Sequence, residues 1–344
     1  MKSIKINSDT GESVVQVGEC LENLNSYLPV KVPIIITDTP VRDHWGACFP
    51  PGPVITIDIG EKIKTFDTVG SIYDQLLTLE ADRTSFIVGI GGGIVCDIAG
   101  FVASTYMRGL RFGFVSSTLL SQVDASVGGK NGVNFRGYKN IVGVFNQPEF
   151  VVCDLNMLNT LPREELLCGF AEIIKHGAIA DKNMFDYIEN HCSEALSLDL
   201  SVIEKLVYDS VRIKSEIVTQ DAREHGIRRM LNFGHTFGHG IEKTLQVRHG
   251  EAVSAGMVLA CEYSVKRGCL QASEADRVSG LLEKYGLPVR LPGKANEIFR
   301  AIRMDKKRQG DSIKFVLLSE IGRAFVEEVP LGELEAFLAD FISS

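Results

Sequence analysis

The sequence predicts an α/β protein: an N-terminal doubly wound parallel sheet followed by a mainly helical domain. Through the first third, short β-branched runs at 31–37 (KVPIIIT), 54–59 (VITIDI) and 85–89 (SFIVG) alternate with helix-sized segments, the pattern of strands joined by crossovers. A glycine triplet, Gly91, Gly92 and Gly93, follows the third run and precedes an apolar helical stretch, which gives the first domain a Rossmann-like character. After Asp154 a 3.6-residue period takes over and persists to about Gly286, as expected of helices.

At 344 residues the chain exceeds what one core supports, and the change of period divides it into 1–155 and 156–344. In the first part, apolar residues at helical spacing (Ile72, Leu76, Leu79) predict a crossover helix over 69–81, and further strands are expected at 111–115 and 150–153. The Pro- and Gly-rich stretch 39–53 reads as a surface connection. In the second part, helices are expected at 163–178, 183–196, 202–218, 228–245, 251–267 and 273–285, with a hairpin at 313–318 and 324–329.

Composition narrows the function. Hydrophobic residues make up 45% and charged residues 23% of the chain, as in folded soluble proteins. A net charge of -8 argues against a nucleic-acid partner, whose binding depends on displacing counterions with Lys and Arg. The eight cysteines contain no C-x-x-C pair and read as reduced thiols of a cytoplasmic protein. The N-terminus lacks the apolar core of an export signal. The most apolar long window, 86–104, is interrupted by glycines and Asp97, so no membrane span is expected.

The glycine triplet stands where backbone N–H groups and a helix N-terminus can receive a pyrophosphate. It lacks the G-x-G-x-x-G spacing, so a tight turn packed against a neighbouring strand explains it as well. A second cluster strengthens the anion-binding reading: Ser117, Thr118, Asp124, Lys130, Lys139 and Asn140 fall within one Gly-punctuated loop. Lysines beside flexible glycines suit phosphate or carboxylate as mobile point charges.

A metal site is read from the second half. Glu172, Lys175 and His176 share a helix face by their spacing of three and four. Arg228, Asn232, His235, His239 and Glu242 follow spacings of four, three, four and three, which would set five polar groups on one face of the 228–245 helix. His249 and Glu251 open another helix. Two histidines and a carboxylate from separate helices form a three-ligand site with an open position, the plan of a catalytic centre, and Glu172, His235 and His249 are the expected ligands. Lys130, Lys139, Lys175, Lys214, Arg228, Lys306 and Lys307 recur through these motifs on an acidic chain, which suits a small, multiply anionic substrate.

Together these stretches resemble the 3-dehydroquinate synthase family of sugar-phosphate cyclases. The resemblance runs from Asp38 and GEKIK (60–64) through GGGIVCD, FVASTYMRG, STLLSQVDASVGGK, GYKN, TLP, AEIIK, RRMLNFGHTFGH and HGE to MDKK (304–307). It implies NAD on the first domain, a divalent metal (zinc or cobalt) on the second, an active site in the cleft between them, and a homodimer. It assigns NAD contacts to Asp38, Glu61, Lys64, Gly92, Gly93, Asp97, Ser117, Thr118, Lys139 and Thr160, and the metal to Glu172, His235 and His249. Substrate contacts fall on Arg108, Asp124, Lys130, Asn140, Lys175, Lys214, Arg228, Asn232, His239 and Lys306.

The implied reaction converts 3-deoxy-D-arabino-heptulosonate 7-phosphate to 3-dehydroquinate and phosphate. A hydroxyl is oxidised transiently, phosphate leaves by β-elimination, the hydride returns, and an intramolecular aldol step closes the ring. NAD is regenerated in each turnover. Three positions depart from the family pattern: Cys96 for Gly, Ser117 for Thr, and Tyr138 inside GYKN. Another sugar-phosphate cyclase is the nearest alternative; a metal-dependent polyol dehydrogenase and a non-enzymatic dinucleotide sensor are the others.

Overall fold

The computed structural model describes residues 1–290, 292–303 and 308–343. Packing divides the chain into two compact units, Met1–Leu166 with Ile203–Arg223, and Leu167–Val202 with Glu224–Ser344.

The first unit is built on strands β1 (Lys2–Ser8), β2 (Gly11–Val17), β3 (Ile34–Asp38), β4 (Val54–Ile57), β5 (Phe86–Gly91) and β6 (Arg111–Ser116), the pair β7 (Lys130–Phe135) and β8 (Tyr138–Phe145), and β9 (Phe150–Cys153). Seven of these form one sheet in the order β1-β2-β9-β6-β5-β3-β4. All neighbours in it are parallel except the β1–β2 hairpin at one edge. Every residue of β5 and β9 is buried, as strands covered on both faces require, and this is why they read as continuous apolar runs. The hairpin β1–β2 was not expected, because β1 exposes most of its side chains and carries only a weak alternating signal.

Helix α1 (Thr39–Trp45) lies within the stretch expected to be a surface connection; the Asp38 side chain caps it by accepting from Val41 N at 2.9 Å. Helix α2 (Phe66–Thr78) is capped by Thr65 and buries Val69, Ile72 and Leu76, while Leu79, expected on its apolar face, lies at the C-cap and is 41% exposed. Helix α3 (Gly93–Thr105) is buried along most of its length.

The second unit contains most of α4 (Arg163–Ala180), then α5 (Lys182–Asn190) and α6 (Cys192–Leu196); α7 (Leu200–Gln220) belongs mainly to the first unit. The helix expected over 183–196 is in fact two, separated at His191. Helices α8 (His235–Leu245), α9 (His249–Lys266), α10 (Ala272–Lys284), α11 (Ala295–Arg303) and α12 (Leu331–Ser343) follow, with β10 (Arg308–Gln309), β11 (Ser312–Glu320) and β12 (Arg323–Pro330) inserted before the last. The late hairpin is present as β11–β12, and Ile313 pairs with Val329. Phe237, Tyr263, Phe315 and Phe337 pack ring to ring at 5.0–5.9 Å in this unit.

The helix expected over 228–245 is broken. Residues Ile227–Asn232 form a tight 3-10 turn, and Gly234 adopts φ +75 before α8 begins at His235. A Cβ at Gly234 would lie 2.9 Å from Met257 N and 3.0 Å from Val253 O, and one at Gly238 would lie 3.0 Å from Ala252 O. These glycines let α8 lie directly on the α9 backbone, an approach that only a residue without Cβ permits. Arg228 and Asn232 therefore do not share a continuous helix face with His235 and His239.

No helix among the described residues is long and apolar enough to cross a membrane. All eight cysteines are free; five are buried and three are half-buried.

Candidate dinucleotide and metal sites

In the first unit the glycine turn is only one residue long: β5 ends at Gly91, Gly92 is the N-cap, and α3 starts at Gly93. No side chain caps α3, which leaves its first N–H groups available to an anion. A Cβ at Gly92 would lie 3.0 Å from Thr118 Cγ2, and one at Gly93 would lie 2.9 Å from Ala125 Cβ. The triplet is a tight turn packed against Thr118 and Ala125 rather than against a neighbouring strand, and it ends in a bare helix terminus. Ser117 N donates to Gly91 O at 3.0 Å, and the Thr118 hydroxyl accepts from Ser121 N at 3.1 Å.

Residues 117–140 are not one loop. They form a π-helical turn, Ser121–Ala125, followed by β7 and the start of β8. The ribbon brings three expected residues together: Lys64 Nζ pairs with the Asp97 carboxylate and donates to Asn140 Oδ1 at 2.5 Å. Asn134 ties in the GEKIK turn, donating to Glu61 Oε1 at 2.7 Å and accepting from Asn140 N at 2.8 Å. Burial raises the Asp97 carboxyl, against the pull of Lys64. Burial likewise raises Asp38, against its hydrogen bond from Val41 N. Thr160 accepts from Trp45 Nε1 at 3.1 Å and so connects to α1.

Lys214, from α7, donates to Asp124 Oδ1 at 2.6 Å and to its carbonyl at 2.5 Å. Lys130 and Lys139 are exposed at the starts of β7 and β8. Arg108 is exposed on a turn in which Met107 and Arg108 take φ of 50 and 69, a left-handed pair that costs roughly 1–3 kcal/mol per residue.

In the second unit Glu172, His235 and His249 converge. Glu172 Oε1 lies 3.6 Å from His235 Nε2 and 3.4 Å from His249 Nε2, and one ligand atom from each lies within 4.8 Å of the others. Glu172 is fully buried at the centre of α4, and its carboxylate pairs with the equally buried Lys175. His235 opens α8 and His249 opens α9, so the close glycine crossing of these helices sets the two imidazoles together. Their rings are 5.4 Å apart, and His239 lies at the same distance from His235.

The remaining nitrogens are engaged. His235 Nδ1 lies 3.0 Å from Phe233 O, so it carries the proton and Nε2 presents a lone pair. His249 Nδ1 lies 3.6 Å from Glu242 Oε2. Imidazoles held from behind by a carbonyl or carboxylate are the usual support of metal ligands, and the Glu172 carboxylate, paired with Lys175, turns Oε1 toward both Nε2 atoms. The donor set fits a zinc-class divalent cation.

Electrostatics agree with this reading. Burial opposes ionisation of Glu172, but Lys175, His249 and His235 hold its carboxyl well below the usual range. Burial first, then Lys175, holds His235 well below the ordinary imidazole value. Burial acts against the charge on His249 too, yet Glu172 and Glu242 push it up to about 10.

Arg228 is fully buried and Asn232 donates to the Glu224 carboxylate. Glu242 and Glu224 were not among the expected site residues, although Glu242 stands seven after His235 on the same helix face and carried that much signal. Lys306 lies outside the described residues.

The 3-dehydroquinate synthase N-terminal family profile matches residues 54–168, and the C-terminal profile matches 169–308. The 3-dehydroquinate synthase of Nitrosospira multiformis is 44% identical over 293 residues, 84% of this chain and 80% of that protein. Among solved structures, 2-deoxy-scyllo-inosose synthase complexed with carbaglucose-6-phosphate, NAD+ and Co2+ superposes with a TM-score of 0.89 at 25% identity, covering 98% of this chain and all of the other. The 2-epi-5-epi-valiolone synthase of Streptomyces hygroscopicus, with NAD+ and Zn2+ bound, gives 0.88 at 28% identity over 99% and 98%.

Proposed function

The chain belongs to the 3-dehydroquinate synthase family, and we propose that Glu172, His235 and His249 serve its reaction as metal ligands while the glycine-turn face of the first unit holds NAD. The reaction is the phosphate-eliminating cyclisation of 3-deoxy-D-arabino-heptulosonate 7-phosphate to 3-dehydroquinate. The observation that carries the reading is the convergence of one carboxylate and two imidazoles, each imidazole held from behind with its Nε2 turned inward.

Bound NAD supplies a hydride acceptor restored within each turnover, and a bound divalent cation supplies a Lewis acid that favours ionisation of a substrate hydroxyl. The chain's own residues position and move charge. The bare N-terminus of α3 receives the pyrophosphate, with Gly92, Gly93, Ser117 and Thr118 around it and Asp38, Thr160, Glu61, Lys64, Asp97 and Lys139 as further contacts. Lys130, Lys175, Lys214, Arg228, Arg108 and Lys306 bind the phosphate and carboxylate of the substrate. Asn140, held by Lys64, and Asn232, held by Glu224, orient its hydroxyls together with Asp124. His239 moves protons among them.

We also propose a cytoplasmic homodimer. Eight free cysteines suit a reducing compartment. The exposed apolar side chains Phe135, Tyr138, Ile141 and Phe145 on the β7–β8 ribbon suit a face covered by a second copy.

Incubating the protein with NAD, zinc and the acid-sugar phosphate tests the reading through phosphate release without accumulation of NADH. A related cyclase would instead release phosphate from sedoheptulose 7-phosphate or glucose 6-phosphate, and a polyol dehydrogenase would accumulate NADH. The number of cationic residues, enough for a carboxylate as well as a phosphate, favours the acid sugar.

A further inference from the structure

The only tryptophan of the chain, Trp45, is the last residue of α1. It is half-buried, and its side chain packs against the core cluster that includes Leu21, Leu24 and Met157. From there its indole Nε1 donates to Thr160 Oγ1 at 3.1 Å. Helix α1 follows β3 directly, and Thr160 ends the 3-10 turn Leu155–Thr160 that follows β9. These two strands are not neighbours: β5 and β6 lie between them, and β5 leads into the glycine turn. One hydrogen bond therefore joins the segments that follow the strands on either side of that pair. The same helix holds a second residue, because Asp38 caps α1 by accepting from Val41 N at 2.9 Å. Asp38 and Thr160, both read as NAD contacts, are thus attached to opposite ends of α1.

The bond also decides what Thr160 can offer a ligand. A threonine hydroxyl has one proton to give and two lone pairs with which to receive. The proton goes to Met157 O at 3.1 Å, and one lone pair takes the indole N–H, which only donates. A single acceptor position is left, on a side chain that is exposed. Phosphate oxygens are themselves acceptors and gain nothing from it, whereas a sugar hydroxyl or an adenine amino group donates to it. Without the indole, the hydroxyl is free to turn its proton away from Met157 and lose this preference.

We propose that Trp45 is a positioning residue for NAD, holding Thr160 Oγ1 as the acceptor for a hydroxyl or amino donor of the adenosine half. That half is favoured because Asp38 ends β3, the strand beside the glycine-turn strand β5, the position from which an acidic residue reaches the adenosine ribose in dinucleotide-binding sheets. The inference rests on the reading of the first unit as the NAD-binding one.

The test is calorimetric titration of the zinc-loaded full-length protein with NAD, since Trp45→Phe removes the only indole fluorophore. Trp45→Phe and Thr160→Val should each weaken NAD binding about threefold to tenfold, the range of one ordinary hydrogen bond. The double variant should bind no more weakly than Thr160→Val, because the indole acts through the hydroxyl, and Thr160→Ser should keep the affinity. Nicotinamide hypoxanthine dinucleotide lacks the amino group, and the 2′-deoxy and 3′-deoxy adenosine forms of NAD lack one hydroxyl each. At least one of the three should bind the unmutated protein more weakly than NAD does, and that difference should vanish in Trp45→Phe and in Thr160→Val alike, an effect that lost packing alone would not produce. Unchanged NAD affinity in Trp45→Phe, additive losses in the double variant, or discrimination that persists undiminished in both single variants overturns the proposal and leaves NAD binding itself standing. Failure of the unmutated protein to bind NAD overturns both.

Discussion

Glu242 stands behind His249: its Oε2 lies 3.6 Å from Nδ1, while the Nε2 of the same ring lies 3.4 Å from Glu172. The imidazole is gripped between two carboxylates on its two nitrogens. Glu172 is a proposed ligand, and Glu242 on the other nitrogen is placed to set the ring's orientation and basicity. Outer carboxylates of this kind typically contribute 10–100-fold to metal affinity. Glu242→Gln should weaken zinc binding by about that factor and leave the fold intact, as measured by competition with a chelator. An unchanged affinity would show that Glu242 does not orient the ligand.

Metal uptake should be coupled to protons, because His249 is pushed up to about 10 and His235 is held low. Without metal, His249 is protonated at neutral pH and His235 and Glu172 are not. Metal binding must therefore release about one proton per site, and affinity should rise with pH until His249 titrates. The sign for stability is the reverse. The raised imidazole stabilises the metal-free protein fully below its ordinary value of 6.5, and that contribution is lost as pH rises through about 10. Calorimetry of zinc binding in buffers of different ionisation enthalpy measures the proton count; a heat independent of buffer would contradict it.

Gly92→Val places a branched side chain where even a Cβ would lie 3.0 Å from Thr118. Overpacking of this kind costs typically about 1–3 kcal/mol, and the turn can relieve it only by moving the α3 terminus. Weaker NAD binding, read by fluorescence quenching, should accompany a lower melting temperature, whereas metal content should not change. Loss of metal with intact NAD affinity would contradict this division of labour.

Lys64 and Asp97 form a buried ion pair that also anchors Asn140. Lys64→Met strands the carboxylate, a loss on the order of 3–5 kcal/mol for a fully buried pair and less here because Asp97 is 19% exposed. Adding Asp97→Asn should restore much of the stability but not the NAD affinity. If the double variant were no more stable than the single one, the pairing would carry no energetic weight.

The sheet strands and the convergence of Glu172, His235 and His249 were legible in the sequence because each leaves a local mark: a fully buried parallel strand is a continuous apolar run, and the two histidines stand in Gly-flanked motifs. What escaped depended on distant partners. The β7–β8 ribbon reads as a loop because β8 is exposed almost throughout and alternates only weakly. The break at Gly234 follows from the backbone of α9, which sits more than ten residues away and leaves no trace in the 228–245 spacing. The role of Glu242 depends on the ring orientation of His249, which periodicity does not report.

The most direct test of the central claim is a single-tube assay that follows phosphate release and NADH absorbance together, with the acid-sugar phosphate, NAD and zinc, for the unmutated protein and for Glu172→Gln. The unmutated protein should release stoichiometric phosphate with no net NADH, and Glu172→Gln should lose both metal and phosphate release while keeping its fold. Net NADH from the unmutated protein, or undiminished phosphate release from Glu172→Gln, would contradict the account.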